Sequence, residues 1–181
     1  MEGVGVTFEP LAIAGAFIVC QKRIGDVRGF FARAFCRDEF AAQGLRHEFV
    51  QWNVSASRQP GTIRGLHYQT APHAEAKLIF CTQGALCDVV VDVRPESPTY
   101  CRWVAVELSA ASGRMVYVPE GCAHGYQALS AETHAFYGAS AAYSPAHERG
   151  VRWNDPLFNI AWPVANPIVS DKDAAHRDFV R

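Results

Sequence analysis

A mainly β fold, a jelly-roll barrel or sandwich with short helices and an irregular C-terminal arm, is what this sequence predicts. Three observations carry that expectation. Short runs of alternating polarity recur along most of the chain, Gly, Pro, Ser or Asn mark many of the junctions between them, and helical periodicity is confined to one short piece. With 181 residues, 49% of them hydrophobic, the chain can bury one sizeable core, and 1–181 reads as a single domain.

Taken in order, the first strand is "AFIVCQKR" at 16–23, followed by "CRDEFAAQGL", where Arg37 or Asp38 starts a short helix that Gly44 ends. Then come "FVQWNVSAS" (49–57), "TIRGLHYQ" (62–69), "AKLIFCTQG" (76–84), "ALCDVVVDVR" (85–94), "CRWVAVELS" (101–109), "RMVYVPEG" (114–121), "AHGYQALS" (123–130) and "HAFYGAS" (134–140). The stretch from Trp153 onward is rich in Pro, Asn and Asp; it reads as an arm held on the barrel by Trp153, Phe158 and Trp162.

Charge narrows the functional classes. Seventeen basic and eighteen acidic residues lie scattered along the chain, so no polyelectrolyte footprint points to nucleic acid or a membrane surface. No apolar run approaches the ~20 residues of a membrane helix, and the first residues lack the order of a signal peptide. The six cysteines form no CxxC pair and sit mostly among apolar neighbours, which suits reduced thiols in a cytoplasmic protein.

Two constellations carry chemistry. From Gly113, "GRMVYVPEGCAH" reads G-x5-P-x-G-x2-H, the second cupin motif, in which proline and glycine turn the chain so that His124 points into the barrel. The first cupin motif would supply an H-x-H pair and a glutamate to a metal. Here only His67 stands in "RGLHYQ", with His73 and Glu75 further on, so a metal at His67, His73, Glu75 and His124 needs a loop to carry His73 inward. A metal-free pocket is the better reading.

Arg64, His67, Lys77 and His124 converge on one barrel mouth in that pocket, an arrangement that calls for an anionic ligand such as a phosphate. Arg64 and His67 have opposite strand parity, so a bulge near Gly65 is required for both to enter. Tyr137 and Tyr143, six apart, share a face if their strand is regular; packing is the common fate of such residues, and an acid and an aromatic plate are the functional one.

These residues, with "GDVRGFF", "FVQWNVSAS", "DVVVDVRPESPTY", "HERGVRWNDP" and "SDKD", resemble the dTDP-4-dehydrorhamnose 3,5-epimerases and related nucleotide-sugar epimerases of the cupin superfamily from about Phe17 to Asp173. The resemblance implies a cofactor-free, metal-free jelly roll acting on a nucleoside-diphosphate 4-keto-6-deoxyhexose. It implies His67 as base, Asp173 as its orienting partner, Lys77 beside the C4 enolate oxygen and Tyr137 as the acid on the opposite face. Tyr143 would stack on the nucleobase; Arg64, His124, Gln51, Asn53, Glu148 and Lys172 would bind substrate. Arg28 would reach the neighbouring subunit's site in a homodimer.

Three positions depart from the family pattern. Arg33 in "RGFFAR" stands for a glutamate among the substrate-binding positions, Trp52 for a commonly acidic residue and Gly138 for a lysine. The first two are expected to alter nucleobase or sugar preference, because an arginine cannot accept a base N–H. Inversion at C3 alone, a metal-dependent cupin enzyme and a non-catalytic sugar-nucleotide binder are the alternative readings.

Overall fold

The computed structural model describes residues 4–181. In chain order it contains β1 (Val6–Pro10), β2 (Phe17–Gln21), β3 (Arg23–Asp26), β4 (Gly29–Ala32), α1 (Arg37–Ala42), β5 (Gln51–Ser57), β6 (Ile63–Gln69), β7 (Lys77–Gln83) and β8 (Ala85–Asp92). It continues with β9 (Trp103–Ser109), β10 (Arg114–Val118), β11 (Cys122–Ala128), β12 (Thr133–Ala139), β13 (Glu148–Gly150) and α2 (Asp171–Ala174). Six strands form one sheet in the order β1-β2-β10-β7-β12-β5 and five form a second in the order β13-β6-β11-β8-β9, while β3 and β4 make a separate hairpin. The mainly β jelly-roll sandwich is the expected class.

Between the sheets lies a core built from inward residues of both, including Ile18, Ile79, Val90, Leu108, Val116 and Tyr126. The outer face of the five-stranded sheet is covered too: the C-terminal arm lays Phe158, Ile160, Trp162 and Phe179 over Leu66, Val89 and Val91. That double covering explains why "DVVVDV" in β8 reads as a continuous apolar run, since a strand buried on both faces has no solvent side to mark. On the other sheet, α1 places Phe40 over Val19, Leu78 and Met115. Fully burying such a ring is worth about 1.5–3 kcal/mol.

All nine expected strands are present, with two changes. "AFIVCQKR" is two elements, β2 and the first residue of β3, and the rest of β3, the short strands β1, β4 and β13 and the helix α2 lie outside every expected element. Of the three anchors expected in the arm, Phe158 and Trp162 pack on the sheet, whereas Trp153 accepts the Trp162 indole N–H through its carbonyl oxygen at 2.8 Å.

The required bulge is where parity demanded it. In the β6–β11 pairing, Tyr126 faces Arg64 and His124 faces His67, so three steps on β6 oppose two on β11. Gly65 makes this possible: its φ is +110°, and a Cβ there would lie 2.7 Å from both the His124 carbonyl oxygen and Gly125 Cα. The extra residue turns Arg64 and His67 toward one cavity.

Candidate active site

That cavity, about 290 Å³, opens between the two sheets and is closed on one side by α2. His67 comes from β6 and His124 from β11 in one sheet; Lys77 from β7 and Tyr137 from β12 in the other; Lys172 and Asp173 from α2. Ser170 caps that helix by accepting from the Asp173 backbone N–H at 3.2 Å, fixing where the Asp173 side chain begins. A smaller adjoining cavity of about 110 Å³ shares His67, Lys77 and Tyr137 and adds Gln51, Asn53, Tyr143 and Glu148.

At the centre, His67 Nε2 donates to Asp173 Oδ1 at 2.7 Å, and Asp173 Oδ2 accepts from the Gly65 backbone N–H at 3.1 Å. Burial pushes the Asp173 carboxyl up, but the hydrogen bond and charge of His67 and the Gly65 N–H outweigh it and leave the group below its ordinary range. Asp173 is therefore an acceptor, which puts the proton of neutral His67 on Nε2 and leaves Nδ1 with a free lone pair. No protein group among the described residues hydrogen-bonds that Nδ1.

Lys77 is only 7% exposed; it donates to the His67 carbonyl oxygen at 3.1 Å and pairs with Glu75 at 3.1 Å. Burial raises the Tyr137 hydroxyl above its ordinary value, and the negative charge of Glu75 raises it further, so the group is a phenol at neutral pH. His124 Nε2 donates to the fully buried Asp88 at 2.8 Å. Arg64 is braced against β5, donating to Ser57 Oγ at 3.2 Å and the Ala56 carbonyl oxygen at 2.7 Å. On the wall of the larger cavity Lys77 and Lys172 are paired with Glu75 and Glu148, whereas Arg64 bonds only neutral groups among the described residues and is the cation left for an anion.

At the rim, Tyr143 donates its hydroxyl to Glu148 at 2.9 Å, and Lys172 donates to both Glu148 oxygens at 2.7 and 2.8 Å. Burial favours the protonated carboxyl, yet the bonds from Lys172 and Tyr143 hold Glu148 below the usual range. The parity argument for Tyr143 does not hold, because β12 ends at Ala139. The loop after it brings Tyr143 to the rim, where its N–H donates to Gln51 Oε1 at 3.0 Å.

Several expected residues lie elsewhere. Arg28, in the β3–β4 turn, pairs with Asp26 and lines neither of these two cavities, only a separate one beside Phe30 and Phe31. Arg33 donates to Glu39 at 2.9 Å and the Val4 carbonyl oxygen at 3.2 Å, also away from both cavities. Trp52 points to the outer face of β5 and stacks on Phe136 at 5.0 Å and 18°, so it does not meet a ligand in this pocket. Gly138 gives it room: a Cβ there would be 2.9 Å from the indole. The four-residue metal set is not assembled, since the His73 ring lies against His147 at 4.4 Å and Glu75 is taken by Lys77 and Gln69.

Sequence reasoning missed Asp88, Tyr126 and His176. Asp88 had a signal, a charge inside an apolar strand, and Tyr126, which shares a hydrogen bond with Ser55 at 2.9 Å, follows His124 by two. Nothing in the spacing marked His176.

The family model described as dTDP-4-dehydrorhamnose 3,5-epimerase matches residues 10–180. The chain is 48% identical over 169 residues to the dTDP-4-dehydrorhamnose 3,5-epimerase of Shigella flexneri, covering 93% of each. It is 40% identical to the dTDP-4-dehydrorhamnose 3-epimerase of Streptomyces niveus, over 91% of this chain and 79% of that one. The crystal structure of dTDP-4-dehydrorhamnose 3,5-epimerase from Bacillus anthracis, with TDP and PPi bound, superposes with a TM-score of 0.93 at 41% identity, covering 97% of this chain and all of that one. On the family match and these identities, the chain belongs to the dTDP-4-dehydrorhamnose 3,5-epimerase family.

Proposed function

We propose that this protein is an isomerase that inverts C3 and C5 of dTDP-4-dehydro-6-deoxy-D-glucose, giving dTDP-4-dehydro-L-rhamnose for cell-surface polysaccharide. The observation that carries the mechanism is an acid and a base on facing sheets of one cationic cavity: Tyr137 on β12 and the Asp173-bound His67 on β6. Arg64, His124 and Lys172 meet the diphosphate and sugar, Gln51, Asn53 and Glu148 line the adjoining cavity, and Tyr143 offers its ring to the base.

His67 Nδ1 removes the proton from the carbon next to the C4 ketone, and the electron pair moves to O4 as an enolate. Asp173 fixes the tautomer and stabilises the imidazolium. Lys77, a fixed and nearly buried cation, stabilises the enolate oxygen more than the ketone. Tyr137 returns a proton from the other side, so the centre inverts with no net gain or loss of protons once His67 and Tyr137 exchange with water. The chemistry needs no cofactor, because the substrate ketone supplies the acidity.

In deuterated water the protein is expected to place deuterium at C3 and C5 of the 4-keto sugar, and His67→Ala to stop it, followed by NMR. Exchange at neither carbon overturns the assignment. Exchange at C3 alone makes the protein a 3-epimerase, the reading that the Streptomyces niveus relative favours.

The same reading includes a homodimer in a reducing cytoplasm, where the six free cysteines stay unpaired. Its support is the β3–β4 hairpin, which carries Arg28 and leaves Phe30 60% and Phe31 64% exposed, an apolar surface of the kind that a second copy covers. Light scattering should give twice the chain mass; a monomer with full activity removes Arg28 from the mechanism.

A further inference from the structure

The His67–Asp173 pair has a third neighbour. His176 follows Asp173 by three residues, just past the end of α2, and its ring stands edge-on to His67 with centroids 5.8 Å apart and planes at 72°. Its Nε2 lies 4.0 Å from Asp173 Oδ1, is closed off from solvent and has no hydrogen-bond partner among the described residues. Gly150 leaves the space for it, since a Cβ there would fall 2.1 Å from that nitrogen. A buried polar atom without a partner is costly, and a ligand that pairs with it recovers that cost.

We infer that His67, Asp173 and His176 form a binding site for a divalent transition metal, zinc foremost, and that its occupancy switches the proton-transfer pair off. The inference rests on the reading of His67 as the base. The three ligand atoms lie within 4.8 Å of one another. A tetrahedral zinc with ligands at about 2.0–2.2 Å holds them roughly 3.3–3.5 Å apart. The 2.7 Å contact must therefore open and the 4.0 Å one close, so binding of the metal requires Asp173 and His176 to turn. Two imidazoles and one carboxylate suit zinc and its neighbours over calcium or magnesium, which take all-oxygen sets.

The surroundings fit as well. Asp173 Oδ2 is already held by the Gly65 N–H, an outer contact of the kind that orients a ligating carboxylate. Lys172 flanks the cluster, but both oxygens of Glu148 neutralise its ammonium.

Inhibition follows from the tautomer. In the free pair the His67 proton is on Nε2 and the lone pair is on Nδ1. A metal on Nε2 moves that proton to Nδ1, so the protein keeps its proton count and loses the lone pair that faces the sugar. Asp173, now a ligand, no longer stabilises an imidazolium. The metal acts by tautomer as much as by blocking space.

The test titrates purified protein with zinc chloride at neutral pH by calorimetry and, in parallel, follows deuterium exchange into the sugar. Wild type should bind one equivalent and lose exchange over the same zinc range, with recovery on adding chelator. His176→Gln and His176→Phe, the second keeping the ring volume, should need at least tenfold more zinc for both readouts, with exchange scaled to each variant's own zinc-free rate. His147→Gln, which disrupts the other histidine pair, should behave as wild type. Equal zinc sensitivity in the His176 variants, loss of binding in His147→Gln instead, no binding heat in wild type, or binding without loss of exchange would each overturn the inference. The calorimetric arm uses no sugar, so an absence of exchange without zinc strikes the epimerase reading alone.

Discussion

Two histidine–aspartate pairs stand side by side in one sheet, on residues that face each other across β6 and β11, and they are built for different work. His67–Asp173 at 2.7 Å and His124–Asp88 at 2.8 Å are the same bond in length and atoms. The His67 side chain is 30% exposed against 9% for His124, and Asp173 comes from the C-terminal helix whereas Asp88 sits on the next strand. Asp88 is fully buried and its Oδ1 has no partner among the described residues, while both Asp173 oxygens are engaged. On the proposed reading, an open nitrogen beside the substrate and a fully satisfied carboxylate are what fit the first pair to move a proton. Lacking access, the second holds a side chain in place.

The largest expected effect breaks the open pair. Asp173→Asn keeps the shape of the side chain but loses the carboxylate that fixes the Nε2–H tautomer and stabilises the imidazolium. Turnover should fall by roughly a thousandfold or more with KM little changed, the scale set by the equivalent change in a serine-protease triad. Steady-state assay of sugar inversion measures both. A loss below tenfold would mean that His67 keeps its orientation without Asp173.

The same change in the closed pair should read out differently. Asp88→Asn weakens a buried, charge-assisted hydrogen bond and should cost about 1.5–3 kcal/mol in urea unfolding. His124 loses its anchor, so KM rises while turnover stays within about tenfold of wild type. If turnover fell as far as in Asp173→Asn, His124 would take part in proton transfer and the contrast between the pairs would collapse.

Chain distance explains which parts of this contrast were legible in the sequence. His67 opposite His124 followed from strand pattern, turn residues and a parity argument that called for the Gly65 bulge, all local signals. Asp173 is 106 residues from His67, and nothing in composition or period ties them, so only the family resemblance brought them together. Asp88 could have been found, because an acid inside "ALCDVVVD" must be paired if that run is buried on both faces. Trp52 follows the same alternation: side chains alternate along a strand, so if Gln51 and Asn53 face the cavity, the residue between them faces away. The parity argument for Tyr143 failed because it assumed a strand that ends four residues earlier. The strands β1 and β13 were missed because five and three residues at sheet edges carry little pattern.

Asp92 sharpens the comparison through stability alone, since it lies on the same strand as Asp88 and is just as buried, yet is fully paired. It accepts from Arg94 Nε and Nη2, both at 2.8 Å, from the Arg94 backbone N–H at 3.1 Å and from Thr99 at 2.6 Å. Burial alone would raise its carboxyl, but these hydrogen bonds outweigh it and hold the group at about 2, from an ordinary 3.8. A folded value below the unfolded one stabilises the protein above the unfolded pKa and is lost as pH falls through the folded one. The linkage is worth about 2 kcal/mol at neutral pH. Asp92→Asn should therefore lower stability by about that much at pH 7, and most of the gap from wild type should disappear as the pH falls from about 4 toward 2, as followed by urea titrations. A gap of equal size at both ends of that range would mean that Arg94 and Thr99 hold the carboxyl by shape and not by charge. What separates Asp92 from Asp88 would then be packing alone, and the orphaned oxygen of Asp88 would carry no electrostatic meaning.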